Sequence, residues 1–520
     1  MDRRVNRIVV VGGGTAGWLA ACRIAAAADP AAPEPLSVTL IESPDLPIIG
    51  VGEGTWPTIR GTLAKIGIDE AEFLDATDAS FKQGSRFDGW RDGTTGDSYH
   101  HPFTAPVDAA PRDLIAHWRS VGGAFADAVC AQPRLCAHHL APRQRAMPGY
   151  AGAVNYAYHL DAVKLADLLR RVATERLGVV HLRDHVVGVD AADNGDISAV
   201  RTRESGKVEG DLFLDCTGHA ALLIGGHYGV PLIDRSGVLF NDRALAVQVP
   251  VASDSPIAAQ TNATAHAAGW IWDIGLPTRR GIGCVYSSSF ASDDDAEKTL
   301  RDYLMRTVPE VDHDALSFRR LTFQSAHRAQ FWQGNCLALG LAAGFLEPLE
   351  ASAIVLAELS IDALLEGFPA DRAAMASHAD RFNNLFRYRW DRIVDFLKLH
   401  YVPSVRSEPY WRAHRDPDTI PDRLRELLDM WRTQPPSAAD FPHADEIFPA
   451  ASYQYVLYGM GAPPPLASAV RSPVGGDTVA DAAQKMAQRA RTLAASLPTN
   501  RVYLDALRRS EPLVQKAIHV

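Results

Sequence analysis

Two segments far apart in the chain carry side chains whose combination could do chemistry. They are Ser80-Phe81-Lys82-Gln83-Gly84-Ser85-Arg86-Phe87-Asp88-Gly89-Trp90 and Gly269-Trp270-Ile271-Trp272-Asp273-Ile274-Gly275. The second sets two indoles at positions i and i+2. Alternate side chains of a strand share a face, so both rings would line one wall, and such a wall suits a flat aromatic guest. In the first, Phe81, Gly84, Phe87 and Trp90 surround a lone Lys82. An isolated lysine is ordinarily a solvated surface charge, but this aromatic, glycine-containing setting is unlike an exposed helix. An amine held there can polarise a bond through its N–H donors, and burial lowers its pKa. Glu350 ends the run Glu347-Pro348-Leu349-Glu350. Ahead of a helix starting near Ile354 it is favoured by the helix dipole, and the same carboxylate can accept a proton or stabilise a cation.

These side chains need a scaffold, and the N-terminus supplies its clearest part. Arg7 to Val11 is a short β-branched run, followed by Gly12-Gly13-Gly14-Thr15-Ala16-Gly17 and an Ala-rich stretch to Ala28. That order reads as strand, tight turn, helix. The next strand, Ser37 to Ile41, ends in Glu42. Gly12, Gly14 and Gly17, with Thr15 and Ala16 opening the helix, let the backbone approach a pyrophosphate at a helix N-terminus, and Glu42 can bind a ribose hydroxyl. A G-x-G-x-x-G alone is a weak signal; the strand before it, the helix after it and the acidic residue beyond make it a dinucleotide-binding βαβ unit. Gly281-Ile282-Gly283 sits in a strand-like run and lacks the third glycine, so no second dinucleotide motif is read.

Further along, His159 to Thr174 has helical apolar spacing, and strand-like runs follow near Val179 to Leu182, Val186 to Val189 and Ile197 to Arg203. Residues Asp97 to Ala151 are rich in Pro, His and aromatic residues, whereas Leu245 to Ser289 reads as strands. After Glu350 the pattern turns helical: Ile354 to Glu366, Arg372 to Leu399, Pro421 to Arg432, and Thr478 to Leu497 with a continuation to Arg509. Pro463 to Pro473 reads as a linker.

The bulk numbers narrow the function classes. A chain of 520 residues can build two or more cores. Its 47% hydrophobic and 22% charged residues are those of a globular protein. A net charge of −10 argues against nucleic acid or an anionic membrane as partner. Six cysteines without a C-x-x-C pair read as reduced thiols of a cytoplasmic protein. No stretch approaches the ~20 apolar residues of a membrane span, and the basic and apolar N-terminus is too short for a signal peptide and runs directly into the glycine motif. The His100-His101 pair lacks a carboxylate or cysteine at ligand spacing, so no metal is assigned.

Taken together, these segments resemble the flavin-dependent tryptophan halogenase family from near Val5 to near Pro465. Lys82 stands in an F-K-x-G-like context. Trp270 and Trp272 match W-x-W-x-I-P, with Gly275 in place of the proline. Gly50 to Pro57 resembles G-V-G-E-x-T-x-P, Glu347 to Ala353 resembles E-P-L-E-S-T-G, and His101 and Phe103 match H-x-F. Gly210 to Gly218, containing Asp215, resembles the second nucleotide-binding segment of FAD-dependent monooxygenases. Gly334 to Glu350, with Gly340 and Leu346, resembles the segment that approaches flavin and ribityl chain there.

The resemblance implies an α/β fold with an FAD-binding Rossmann-like module of the glutathione-reductase/monooxygenase type, formed by residues 1–96, 152–244 and 330–370. A β-rich substrate region and a mainly helical C-terminal part would occupy 97–151, 245–329 and 371–520. It also implies FAD, used as FADH2, with O2 and a halide, bromide or chloride. Gly12, Gly14, Thr15, Ala16, Gly17, Glu42, Asp215, Gly340 and Leu346 would hold the flavin, under a strap containing Ile49, Gly50, Val51 and Gly52. Lys82 would activate hypohalous acid, by hydrogen bonding or as a haloamine, and Glu350 would face the carbon being halogenated. The halide would sit on the backbone of Ser352 and Ala353, where the family has Thr-Gly. Trp270 and Trp272 would separate flavin from substrate, Trp272 on the substrate side. His101 and Phe103 would sandwich an indole, with Pro348 and Tyr453 completing the pocket. Asp391 to Tyr401 resembles a structural helix of the family.

Members that take free tryptophan hold its ammonium and carboxylate with paired tyrosines and a glutamate. Here the corresponding stretch offers Tyr453, Tyr455, Tyr458 and Glu446 without a Tyr-Tyr pair. A zwitterion would be poorly paired, so indole or a larger indolic compound is expected. With one dinucleotide motif, reduced flavin is expected from a separate NADH-dependent flavin reductase; a homodimer is expected by analogy. The alternatives are an FAD-dependent aromatic hydroxylase and a flavin-binding protein without catalysis.

Overall fold

The computed structural model describes residues 4–46, 53–463 and 476–509. Arg7–Val11 lies inside a six-stranded sheet, parallel to Ser37–Glu42 on one side and to Leu212–Asp215 on the other. Val180–Arg183 and Cys336–Ala338 extend it in parallel, and Trp332–Gln333 closes one edge antiparallel. Ile8 to Val11 are all buried. A parallel strand covered on both faces reads as a continuous apolar run, which is what these residues are. The helix Thr15–Ala27 packs between Ala162–Glu175 and Ser352–Glu366.

A seven-stranded sheet stands beside this layer, in the order Arg319–Thr322, Arg243–Pro250, Arg279–Tyr286, Gly269–Gly275, Thr261–His266, Gly84–Asp88, Ser98–Pro102. Its two faces are distinguished by alternation. Ile271, Leu245, Val247, Ile282 and Cys284 pack under the helix Asp293–Thr307, while Trp270, Trp272, Ala244, Ala246 and Ala263 join the main core. The i, i+2 reading of the tryptophans thus holds: both point to the inner face.

Lys82 comes from a third, small sheet, Glu53–Gly54, Ala157–Leu160 and Ser80–Lys82. The chain then steps through Gln83 into the large sheet. Gly84 makes that step possible: its φ is +140°, and a Cβ there would lie 2.4 Å from the carbonyl oxygen of His101. The module boundary expected at residue 96/97 divides a hairpin, because Gly84–Asp88 and Ser98–Pro102 pair along their length.

One helix expectation needs correction. His159 and Leu160 belong to a strand, and the helix begins at Ala162 behind Asp161, whose side chain accepts from the backbone N–H groups of Val163 and Lys164. The last helical stretch is a pair, Gly476–Ser496 and its continuation Asn500–Arg508, separated at Pro498 and restarted by the Thr499 cap. Of the linker expected at 463–473, residues 464–473 lie outside the described residues. No helix among the described residues is long and apolar enough to cross a membrane.

Candidate active site

One continuous cavity of about 630 Å³ runs from the glycine turn at Gly12 to Lys82 and Glu350. At its first end Gly12 has φ +116°, and a Cβ there would stand 2.1 Å from the carbonyl oxygen of Cys216, whereas a Cβ on Gly14 would meet nothing within 4 Å. Gly14 also caps the helix Thr15–Ala27, which has neither a side-chain cap nor an acidic residue in its first turn. Its first N–H groups therefore face open space beside a glycine, a cradle fitted to a pyrophosphate. Thr15, Ala16, Gly17, Glu42, Gly340 and Leu346 line the same cavity, and Glu42 is held by His181 Nε2 at 2.8 Å. Asp215 does not line it. Its buried carboxylate accepts from the backbone N–H groups of Thr217, Leu223 and Ile224, so it shapes the turn whose residues Cys216 to Ala220 form the wall. Ile49, Gly50, Val51 and Gly52 lie outside the described residues.

At the other end Lys82 is 1% exposed. Burial lowers its ammonium to about 8, with Glu350 pulling the other way. Its Nζ lies 5.3 Å from the ring centroid of Phe103. A Cβ on Gly54 would lie 3.0 Å from Nζ and 3.4 Å from Cβ of Ala351, so the amine stands beside the turn that carries Glu350. The neighbouring His159 is kept neutral, its imidazole pushed far down by burial and by Lys82.

Glu350 and Ala351 form that turn with φ of +65° and +54°. Two consecutive non-glycine residues in the left-handed region cost roughly 1–2 kcal/mol each, and such strain persists where the surroundings fix it. Trp56 Nε1 fixes it by donating to the carbonyl of Glu350 at 2.7 Å. The carboxylate meets His101 Nδ1 at 2.7 Å and His400 Nε2 at 3.3 Å, both at Oε1. Burial pushes this carboxyl up, but the two imidazoles prevail and hold it well below the usual range. Behind them His101 Nε2 pairs with Ser452 Oγ at 2.9 Å, and His400 Nδ1 with the Tyr99 hydroxyl at 2.8 Å. Ser352 and Ala353 follow at the start of the helix Ser352–Glu366 and line the cavity with Pro348.

The tryptophan wall closes one side. Trp270 and Trp272 contact each other edge-on, ring centroids 6.4 Å apart. Trp270 Nε1 donates to Glu347 Oε2 at 3.0 Å, an oxygen that also accepts from Tyr401 at 2.7 Å and Asn241 at 2.6 Å. Burial pushes the Glu347 carboxyl up against these donors.

Tyr453 does not join the pocket. On the helix Ala450–Gly459 it packs away from the site among Phe396, Trp431 and Phe441. Ser452 and Tyr455, three residues apart on one helical face, turn toward His101 instead. Glu446 accepts from the Tyr388 hydroxyl and from the backbone of His443.

A family model described as tryptophan halogenase matches residues 7–472. The chain belongs to the tryptophan halogenase family. It is 33% identical over 534 residues to the tryptophan 6-halogenase SttH of Streptomyces toxytricini, covering 97% of this chain and 99% of that one. It is 32% identical to the tryptophan 7-halogenase RebH of Lentzea aerocolonigenes over 97% of this chain and 99% of that one. Among solved structures it is similar to a tryptophan halogenase from Shewanella frigidimarina, with a TM-score of 0.93 and 46% identity over 97% of this chain and 98% of that one. The protein is a flavin-dependent halogenase on a mixed α/β fold with a parallel, Rossmann-like core.

Of the residues expected from the sequence of this halogenase, the fold brings Lys82, Glu350 and the two tryptophans to the cavity wall, with His101 behind Glu350. His400, Tyr99 and Ser452 were not among those expected. The signal for His400 was present, since it lies in the segment Asp391 to Tyr401 that resembles a family helix. Glu53, inside the Gly50 to Pro57 motif, also lines the cavity, and burial pushes its carboxyl up to about 7.

Proposed function

We propose that this halogenase brominates or chlorinates an electron-rich aromatic, indole or a larger indolic compound, through hypohalous acid activated by Lys82 and a ring proton taken by Glu350. The observation that carries the reading is the shared cavity, with a nucleotide cradle at one end and a buried amine beside a buried carboxylate at the other. FAD, held as FADH2 by Gly12, Gly14, Thr15, Ala16, Gly17 and Glu42, would supply with O2 the oxidising equivalents that turn halide into hypohalous acid. The backbone at Ser352 and Ala353, at the start of a helix with no acidic residue in its first turn, suits the halide.

Lys82, as ammonium, donates to the oxygen of the hypohalous acid and polarises its bond to halogen. Halogen passes to a ring carbon without its bonding electrons, and the departing hydroxide takes the Lys82 proton and leaves as water. Glu350 stabilises the cationic ring and then accepts the proton from the substituted carbon, whose C–H electrons restore aromaticity. Atoms and charge balance as arene plus hypohalous acid giving haloarene plus water. Trp270 and Trp272 wall this chemistry off. A separate NADH-dependent flavin reductase supplies FADH2, in keeping with the single dinucleotide motif.

The substrate choice rests on the polar groups near the pocket. Glu446 is engaged by Tyr388 and Tyr453 is in the core, so neither is placed to bind an amino-acid ammonium. Purified enzyme with FAD, a flavin reductase and NADH, offered indole and tryptophan with bromide and then chloride, tests the proposal. Mass spectrometry should show halogenated indole, absent with Lys82→Ala. Turnover of tryptophan well above indole would overturn the substrate, and hydroxylated product the reaction.

A further inference from the structure

Two histidines from different elements converge on a single oxygen of Glu350. His101 comes from the strand Ser98–Pro102, and His400 caps the C-terminus of the helix Met375–Leu399. His101 Nδ1 hydrogen-bonds Oε1 at 2.7 Å, His400 Nε2 approaches the same oxygen at 3.3 Å outside hydrogen-bond geometry and has no other partner, and the described hydrogen bonds leave Oε2 free. His400 is fully enclosed by the rings of Phe87, Trp90 and Phe396. Its protonation pattern follows from its partners. Burial, with Glu350 and Asp97 adding, pushes the Tyr99 phenol well above its ordinary value, so Tyr99 keeps its proton and donates to His400 Nδ1. Burial lowers the His400 imidazole, so it is neutral and its one N–H is on Nε2, the nitrogen 3.3 Å from Glu350 Oε1.

We propose that His400, oriented by Tyr99, is a positioning residue that keeps Glu350 ionised and leaves its Oε2 to meet the substrate ring. The inference rests on the reading of Glu350 as the group that takes the ring proton. His101 divides its ring between Glu350 and the Ser452 hydroxyl, so its hydrogen bond to Glu350 is open to exchange. His400 is sealed in, so its N–H stays 3.3 Å from Oε1 through the cycle, with the carboxylate as its nearest charge. The left-handed turn at Glu350 and Ala351 fixes the backbone, Trp56 fixes the carbonyl, and the His101 hydrogen bond with the close approach of the His400 ring fixes the side chain. The charged and titratable groups facing Glu350 are Lys82 from the small sheet, His101 from the large sheet and His400 from the helix; Tyr99 acts behind His400.

The test is the pH dependence of kcat for His400→Leu, His400→Gln, Tyr99→Phe and Glu350→Gln, with FAD affinity and KM for indole measured alongside. Loss of an N–H dipole beside a buried carboxylate raises its pKa, so the acid limb of His400→Leu should move to higher pH, into the measurable range. Its kcat at neutral pH should fall about ten- to hundredfold, with FAD affinity and KM little changed. His400→Gln retains an N–H and should recover part of the loss and reverse part of the limb shift. Tyr99→Phe should move the limb the same way by less, and it provides the test if His400→Leu fails to fold. An acid limb unmoved in both His400→Leu and Tyr99→Phe, or a His400→Gln no better than His400→Leu, overturns the inference while an inactive Glu350→Gln upholds the role of Glu350. A Glu350→Gln that keeps its kcat overturns both.

Discussion

The indole of Trp272 lies against Gly283 of the adjacent strand, its cross-strand partner, and a Cβ on Gly283 would stand 2.0 Å from the ring. The glycine is there because the tryptophan is, since a flat ring on the inner face needs a floor without a side chain. Gly283→Ala should push Trp272 into the cavity, at a cost of about 1–3 kcal/mol in stability. Because that ring is part of the proposed barrier between flavin and substrate, halogenated product per NADH consumed should fall and hydrogen peroxide should rise. Product and peroxide assays with a urea melt check this; unchanged coupling with Trp272 displaced would remove the ring from the barrier.

That pair also shows what the sequence makes legible. Trp270, Trp272, Lys82 and the glycine turn announce themselves locally, because strand alternation and the strand–turn–helix order are properties of neighbouring residues. Gly283 looked like part of a motif fragment until the strand opposite was known. His400, Tyr99 and Ser452 gather around Glu350 from three elements distant in sequence, and no local pattern records that convergence. Tyr453 failed on helical phase, one residue from Ser452, which does reach the site. Asp215 failed for another reason: a short buried carboxylate next to a tight turn is as well used by backbone N–H groups as by a ligand, and here the backbone takes it.

Lys82 carries a stability cost that its proposed role explains. Its folded value of about 8 lies below the ordinary 10.5, so below pH 8 the folded protein holds a buried ammonium that the unfolded chain keeps in water. This costs roughly 3 kcal/mol. The cost fades as pH rises from 8 to 10.5, where the unfolded chain gives up its proton too. Lys82→Met should therefore lose halogenation and melt at higher temperature than the parent at pH 7, with the gap closing toward pH 10.5. A variant less stable at neutral pH would show that the ammonium is well solvated in the cavity.

The same value sets the alkaline side of catalysis. If the ammonium donates to the hypohalous acid, kcat should fall as pH passes about 8 and Lys82 loses its proton. Rates at saturating indole, with reductase in excess at each pH, measure this limb. A kcat that rises through the same range would identify the neutral amine as the reacting form, and a haloamine in place of a hydrogen bond.

The glycine turn offers a contrast between two positions two residues apart. At Gly12 a side chain collides with the Cys216 carbonyl and must adopt φ +116°, so Gly12→Ala should destabilise the protein with or without flavin. At Gly14 a Cβ meets nothing within 4 Å among the described residues, and the uncapped helix N-terminus starts at the next residue. Gly14→Val should therefore fold as well as the parent when stripped of flavin and lose stability relative to it only as FAD is added. Melting temperatures across an FAD titration separate the two, since ligand stabilisation grows with concentration over Kd. Equal FAD stabilisation of Gly14→Val and the parent would place the pyrophosphate away from this turn.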